Sequence, residues 1–308
     1  MTRERLLGLD LGGTNIKAAV LEQNDSGTPP LLIHSDSVPT EAALGPDHVT
    51  GRLIELGRKM KGQVEGITAL GLGVPGLFDP GDGRIELFPN LAGEWEGYEL
   101  RTAVGRGVGL DTAMINDARA FTLAEGTVGA GRGAKVMLGI TLGTGIGGGV
   151  MIGGHLHTGA FGTAGEFGHQ TVSPEGPMCG CGNRGCLEAV ARGGVISTEA
   201  GAVDVEGLYA AAAEGNELAV RTVERASFFM AIAIANAVSL LGVDVVVVGG
   251  GIVSSGDRVL DPLRRAVAER VTLVPTDEIR IVAAELGPMA GAIGAALAGA
   301  SQEPTRSL

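Results

Sequence analysis

Leu7-Gly8-Leu9-Asp10-Leu11-Gly12 aligns without a gap with Leu138-Gly139-Ile140-Thr141-Leu142-Gly143. Each copy sits inside a segment of the same plan. Leu6 to Val20 reads as a buried strand, a glycine turn carrying Thr14 and a returning strand, and Val136 to Ile152 repeats that order around Gly143-Thr144-Gly145. This weak internal duplication is the mark of two similar lobes. Where the first copy has Asp10, the second has Thr141. Hairpin turns whose successive N–H groups converge make anion-binding concavities, and Gly removes the Cβ that would hold a phosphate away. Two ordinary glycine-rich hairpins are the plain alternative, and the likeness between the copies weighs against it.

The length agrees with two lobes, because 308 residues exceed the roughly 250–300 at which one core stops growing. A hydrophobic fraction of 44% is ample for buried cores, and 53 glycines mean many close backbone approaches. The best membrane-span candidate, Phe228 to Val248, is interrupted by Asn236, Ser239 and Asp244, so no membrane partner is expected. Met1-Thr-Arg-Glu-Arg5 runs directly into a strand-like segment, so no signal peptide is expected and the expected compartment is the cytoplasm. A net charge of −12 opposes nucleic-acid binding. An anionic ligand would have to be held locally, by backbone amides and a metal ion.

All three cysteines fall in one segment, Gly165-Glu166-Phe167-Gly168-His169 followed by Cys179-Gly-Cys181-Gly-Asn-Arg-Gly-Cys186-Leu-Glu188. Three thiolates and one imidazole complete a tetrahedral zinc set with no open position for water, so the metal is expected to be structural. The alternatives are small buried thiols or one disulfide, which the odd count and the Cys-x-Cys-x4-Cys spacing disfavour. Glu166 and Glu188 are surplus to such a set and free to bind something else.

Other motifs point to nucleotide chemistry or away from it. Gly143-Thr-Gly145-Ile-Gly-Gly148 matches G-x-G-x-x-G, but the residues after it make a poor helix and a good strand, against a dinucleotide fold. No lysine stands in a P-loop arrangement. Asp244 to Val248 reads as a strand buried on both faces, with helices over roughly 224–241 and 257–271 around it. The Gly249-Gly250-Gly251 turn that follows lies where an α/β sheet places ligands. Pro288 to Ala298 reads as a small-residue helix, equally suited to close packing and to nucleotide contact. Gly109 to Ile115 reads as a strand and Ala118 to Glu125 as a helix, placing Asn116-Asp117 at their junction. Asp117 there could be an N-cap, or an ionised base beside an amide that holds a hydroxyl during phosphoryl transfer.

Taken together, Leu9-Asp-Leu-Gly-Gly-Thr-Asn-Ile-Lys17, Gly73-Val-Pro-Gly76, Phe88-Pro-Asn90-Leu, Asn116-Asp-Ala, Thr141-Leu-Gly-Thr-Gly-Ile-Gly-Gly-Gly149, Gly165-Glu-Phe-Gly-His169 and the cysteine segment through Glu188 resemble the ROK family. That name stands for repressors, open reading frames and sugar kinases, and bacterial glucokinases are its members most like this chain. The resemblance runs from residue 5 to about residue 300. It implies an α/β, two-lobed actin-like and hexokinase-like ATPase fold, of duplicated ribonuclease H-like domains, with a structural zinc loop at 169–186. The expected small lobe is 1–117 plus about 290–308, and the large lobe 118–289.

Carried over by position, the resemblance implies that Asp117 is the general base and that Asn116, Glu166, His169 and Glu188 bind sugar hydroxyls, with Gly76 and Asn90 lining the same pocket. His169 would serve zinc with one ring nitrogen and the sugar with the other, alongside Cys179, Cys181 and Cys186 on the metal. Asp10 would orient the Mg²⁺ shell. Gly12, Gly13, Thr14, Thr141, Gly143 and Thr144 would surround the phosphates of ATP, and Gly249-Gly250 would approach the adenosine. Arg119, after Asn116-Asp-Ala118, departs from the small or neutral residue many members carry. The implied activity is ATP-dependent phosphorylation of a hexose, glucose first, with N-acetylglucosamine or N-acetylmannosamine as the alternative, in a homo-oligomer. Repressors of the family carry a helix-turn-helix ahead of the first glycine loop, for which the expected first strand near residue 5 leaves no room. A silent sugar sensor would have no use for Asp10 and Asp117 together.

Overall fold

The computed structural model describes residues 4–23, 28–89 and 91–300, with main chain alone at 254 and 255. The chain divides into two compact units, one of Met1–Val128, Gly159–Gly162 and Leu286–Leu308, the other of Gly129–Thr158 and Thr163–Glu285. In chain order the first unit holds β1 (Glu4–Leu11), β2 (Asn15–Gln23), β3 (Leu31–Pro39), α1 (Pro46–Gln63), β4 (Ile67–Val74), the short β5 (Leu77–Phe78) and β6 (Ile85–Leu87), α2 (Leu100–Val108), β7 (Thr112–Asn116) and α3 (Asp117–Val128). The second holds β8 (Val136–Leu142), β9 (Ile146–Ile152), β10 (His155–His157), α4 (Leu187–Ala191), α5 (Gly193–Ala200), α6 (Val205–Ala213), α7 (Glu217–Leu241), β11 (Val245–Gly249), α8 (Asp257–Ala268) and β12 (Arg280–Ala283). The chain then returns to the first unit as α9 (Ala290–Ala300).

The two five-stranded sheets have one topology. Their orders are β3-β2-β1-β4-β7 and β10-β9-β8-β11-β12. In each, the first three strands of the unit form an antiparallel meander, and two later strands join parallel to its first strand. The aligned segments, β1 and β8, are the central strands. Asp10 pairs in register with Gly73 of β4, and Thr141 with Gly249 of β11, so the duplicated positions end the same strand beside the same neighbour.

Each unit has its own core. In the first, Leu7, Leu9, Leu70 and Leu72 meet Leu53, Leu56 and Met60 of α1, and Trp95 packs on Phe88 and Tyr98 at ring separations of 5.0 and 5.5 Å. On the other face of that sheet lies α9, and backbone meets backbone there. A Cβ on Gly8 would overlap the Ala292 carbonyl, one on Gly71 the Ala295 carbonyl, and one on Gly294 the Ala120 carbonyl of α3. Ala292, Gly294 and Ala295 of α9 thus serve close packing. The buried Glu125 of α3 accepts the Leu286 N–H at 2.9 Å and anchors the entry to this helix.

In the second unit Val246 and Val248 pack with Ile234, Val238, Leu260 and Leu263. Helix α7 begins at Glu217, seven residues before the sequence pattern suggests, because Asn216 caps it through the Ala219 N–H at 3.1 Å. By length and apolarity alone α7 could cross a membrane. Its apolar side, from Ala219 through Val238, instead lies in the core of this unit. The strand expected over 109–115 starts at Thr112, because Gly109, at φ 71°, is the left-handed cap that ends α2.

Candidate functional site

Three predicted residues gather at the carboxyl ends of the parallel strands in the first unit. Asp10 lies near the end of β1, Asn116 ends β7 opposite Val74 of β4, and Asp117 opens α3. Both glycines nearest Asp10 are close to it: Gly73, where a Cβ would stand 3.3 Å from Asp10 Oδ1, and Gly291 at the start of α9, where a Cβ would overlap the carboxylate. Burial first, and then the nearby Asp117 charge, raise the Asp10 carboxyl to a pKa of about 7 against the opposing effect of Lys17. A half-buried carboxylate near a second carboxylate fits a site for a hard divalent cation, which would neutralise the pair.

Asn116, rather than Asp117, takes the capping role. Its Oδ1 accepts the N–H groups of Ala118 at 3.1 Å and Arg119 at 3.3 Å, while its Nδ2 donates to the Gly76 carbonyl at 3.3 Å. Asp117 Oδ1 accepts the Ala118 N–H at 2.7 Å. Gly76, at φ 80°, has no room for a Cβ, which would overlap the Leu87 carbonyl and come 2.9 Å from Pro89 Cδ. Asn90 lies outside the described residues.

The first glycine turn exposes Gly13 and Thr14. Gly12 N–H closes it on the Asn15 carbonyl at 3.1 Å. Thr40, fully buried, braces it from a distance: its hydroxyl donates to the Gly12 carbonyl at 2.6 Å and its N–H to the Thr14 carbonyl at 2.8 Å. Thr40 carries no signal in the sequence because it stands 28 residues from its partner.

In the second unit, Thr141, Gly143, Thr144, Gly249 and Gly250 meet at the ends of β8 and β11. Gly143 and Thr144 are exposed, and Gly143 N–H closes the turn on the Gly145 carbonyl at 3.0 Å. Gly250, at φ 95°, lies so close to Leu142 that a Cβ would overlap its carbonyl. The glycine triplet 147–149 has a packing reason. Segment 165–168 presses on β9 so closely that a Cβ on Gly165 would come 2.7 Å from Gly149 Cα, and one on Gly148 would come 2.7 Å from Phe167 Cβ. That contact delivers Glu166 and His169, whose Oε2 and Nε2 stand 4.0 Å apart, both partly exposed. Glu188, in the first turn of α4, accepts the Ile146 N–H on Oε2 at 2.9 Å.

Other ring and sulfur atoms near Glu166 form the metal centre. His169 Nδ1 and the sulfurs of Cys179, Cys181 and Cys186 all lie within 4.8 Å of one another. Zinc bonds of about 2.3 Å to sulfur and 2.0–2.1 Å to nitrogen set tetrahedral S···S and S···N separations near 3.8 and 3.6 Å. The observed Cys181–Cys186 and Cys179–His169 separations are 3.7 and 3.6 Å. The cysteines are free thiols, which removes the disulfide alternative. Burial, with Cys181 and Cys179 adding, pushes Cys186 up to about 12, so the crowded sulfurs need a cation before they can all ionise. The loop that presents them turns at Gly182 and Gly185, at φ 88° and 72°. The donor set fits zinc, with His169 Nε2 turned toward Glu166.

The family's model matches residues 6–300. This chain belongs to the ROK family. It is 32% identical over 315 residues to a glucokinase of Thermotoga maritima, covering 96% of this chain and 97% of that one. A ROK hexokinase of Thermus thermophilus superposes with a TM-score of 0.81 at 35% identity, over 96% of this chain and 98% of the other. A ROK family glucokinase of Streptomyces griseus, crystallised with glucose and AMPPNP, gives a TM-score of 0.79 at 29% identity, over 96% and 99%. The α/β fold of this ROK chain is therefore that of the family's hexokinases.

Proposed function

We propose that this ROK protein is a glucokinase, transferring the γ-phosphoryl group of ATP to the 6-hydroxyl of D-glucose in the cytoplasm. The observation that carries the reading is the junction of β7 and α3, where Asn116 is pinned by Gly76 and the helix N–H groups, and Asp117 accepts the Ala118 N–H near Asp10. Near-full-length similarity to glucokinases supports it.

In this reading Asp117 accepts the hydroxyl proton as the phosphoryl group moves, so position and charge matter more than basicity. Asn116, Glu166, His169 and Glu188 are assigned to sugar hydroxyls, with Gly76 and Asn90 as further sugar-binding positions. The turns at Gly12, Gly13 and Thr14 and at Thr141, Gly143 and Thr144 receive the phosphates, and Gly249-Gly250 lies by the adenosine. Asp10 holds the shell of a magnesium ion, which would draw charge from the phosphates when bound. Cys179, Cys181, Cys186 and His169 hold zinc, whose part is to fix His169 and the loop that leads into Glu188.

Initial rates with Mg-ATP on glucose, mannose, N-acetylglucosamine and N-acetylmannosamine test the proposal. Glucose with the highest kcat/KM supports it. A higher value for an acetylated sugar would move the protein to the amino-sugar kinases, and no transfer to any sugar would reject a kinase.

A further inference from the structure

Ile146 is approached at its N–H and at its carbonyl by residues far from it in sequence. Its N–H donates to Glu188 Oε2 at 2.9 Å, and its carbonyl lies where a Cβ on Gly168 would fall. The residue before it, Gly145, has no side chain, and the space that a side chain would fill is taken by the same Glu188 oxygen: a Cβ on Gly145 would overlap Oε2. Gly145 has no need of glycine for its backbone, since its φ is not in the left-handed region. Gly145 is therefore needed for room, and the occupant of that room is a carboxylate from the zinc-bearing segment.

One oxygen of Glu188 thus belongs to the turn from Thr141 to Ile146. An ionised carboxylate has acceptor sites to spare on its other oxygen. A carboxylate fixed by a backbone N–H is held in one rotamer, which lowers the entropy lost when it meets a hydroxyl. The same bond fixes the end of the turn.

We propose that Gly145 is a positioning residue that acts through Glu188: its bare Cα seats the carboxylate on the Ile146 N–H, and so ties the geometry of the sugar contact to that of the phosphate turn. This rests on the reading of Glu188 as a sugar ligand and of the turn as a phosphate site. A methyl group at position 145 displaces the carboxylate without straining the backbone. Its first effect is on sugar binding, although residue 145 belongs to the nucleotide turn. Because coupling between two sites is reciprocal, any change glucose makes in nucleotide affinity through this pair equals the change nucleotide makes in glucose affinity.

The test is a double-mutant cycle of G145A and E188A, with KM for glucose and for ATP measured separately. G145A is expected to raise the glucose KM about tenfold or more, in line with the loss of a charge-assisted hydrogen bond, and the ATP KM by less than threefold. In the E188A background, G145A should change the glucose KM less than twofold. Multiplied effects of the two substitutions, or an ATP KM that rises as much as the glucose KM, would overturn the proposal in favour of simple damage to the turn. Hydrogen exchange at the Ile146 amide reads the same link with no substrate present. Faster exchange in both E188A and G145A is expected, and an unchanged rate in both would reject the link whatever the substrate is. Failure of the glucokinase reading would show separately, as a wild-type protein that does not phosphorylate glucose.

Discussion

Asp10 is pushed toward protonation first by burial and then by the charge of Asp117, and reaches a pKa of about 7 from an ordinary 3.8. Between these values the folded protein keeps a proton that the unfolded chain has released. Stability from this group therefore falls as pH rises from about 4 to about 7 and is flat above, by about 4 kcal/mol at most on a scale of 1.36 kcal/mol per unit. Asp10→Asn should lose this slope, so its thermal midpoint should gain on the wild type between pH 5 and pH 8. Parallel midpoint curves for the two proteins would count against the shift. Magnesium should narrow the gap at pH 8 if the cation sits on Asp10.

Asp117→Asn preserves the shape of the β7–α3 junction, and Asn116 continues to cap the helix. The expected result is a fall in kcat of roughly 10²-fold or more with glucose affinity largely kept, because the base acts only as the proton leaves. A near-normal kcat would remove Asp117 from the reaction.

Cys181→Ser breaks a four-ligand set whose other members include His169 and whose loop leads into Glu188. Metal content should drop and glucose binding weaken, with the affinity for a non-hydrolysable ATP analogue changing much less. The second unit has a large apolar core of its own, so the damage should stay local. Full glucose affinity in a zinc-free variant would separate metal from sugar, and equal loss of both ligands would make the metal a support for the whole unit.

Two glycines should respond oppositely to alanine. At Gly71 the added Cβ has nowhere to go, because it falls on the Ala295 carbonyl of α9. Gly71→Ala should destabilise the protein by about 1–3 kcal/mol or more. At Gly51 in α1 there is nothing within 4 Å. Gly51→Ala should stabilise by about 0.5–1 kcal/mol, since alanine loses less backbone freedom in a helix. Chemical unfolding of both variants decides it.

The sequence by itself determined what depends on local pattern and chemical type. The likeness of Leu7–Gly12 to Leu138–Gly143 announced a duplication, and the two sheets share one strand order because the same strand–turn–strand unit starts each. The cysteine spacing announced a metal site, because four soft donors within a short glycine-rich segment have few other uses. Only the tertiary structure decided what depends on partners distant in the chain. Thr40 braces the Gly12 turn, Gly76 holds Asn116, and Glu188 occupies the space beside Gly145; in each pair the spacing carries no period that a sequence could display. The same holds for the small residues of α9, which sequence left between packing and ligand contact. The backbone carbonyls of Ala292, Ala295 and Ala120 that meet Gly8, Gly71 and Gly294 show the packing half of that reading, because backbones approach so closely only where the facing residue has no side chain.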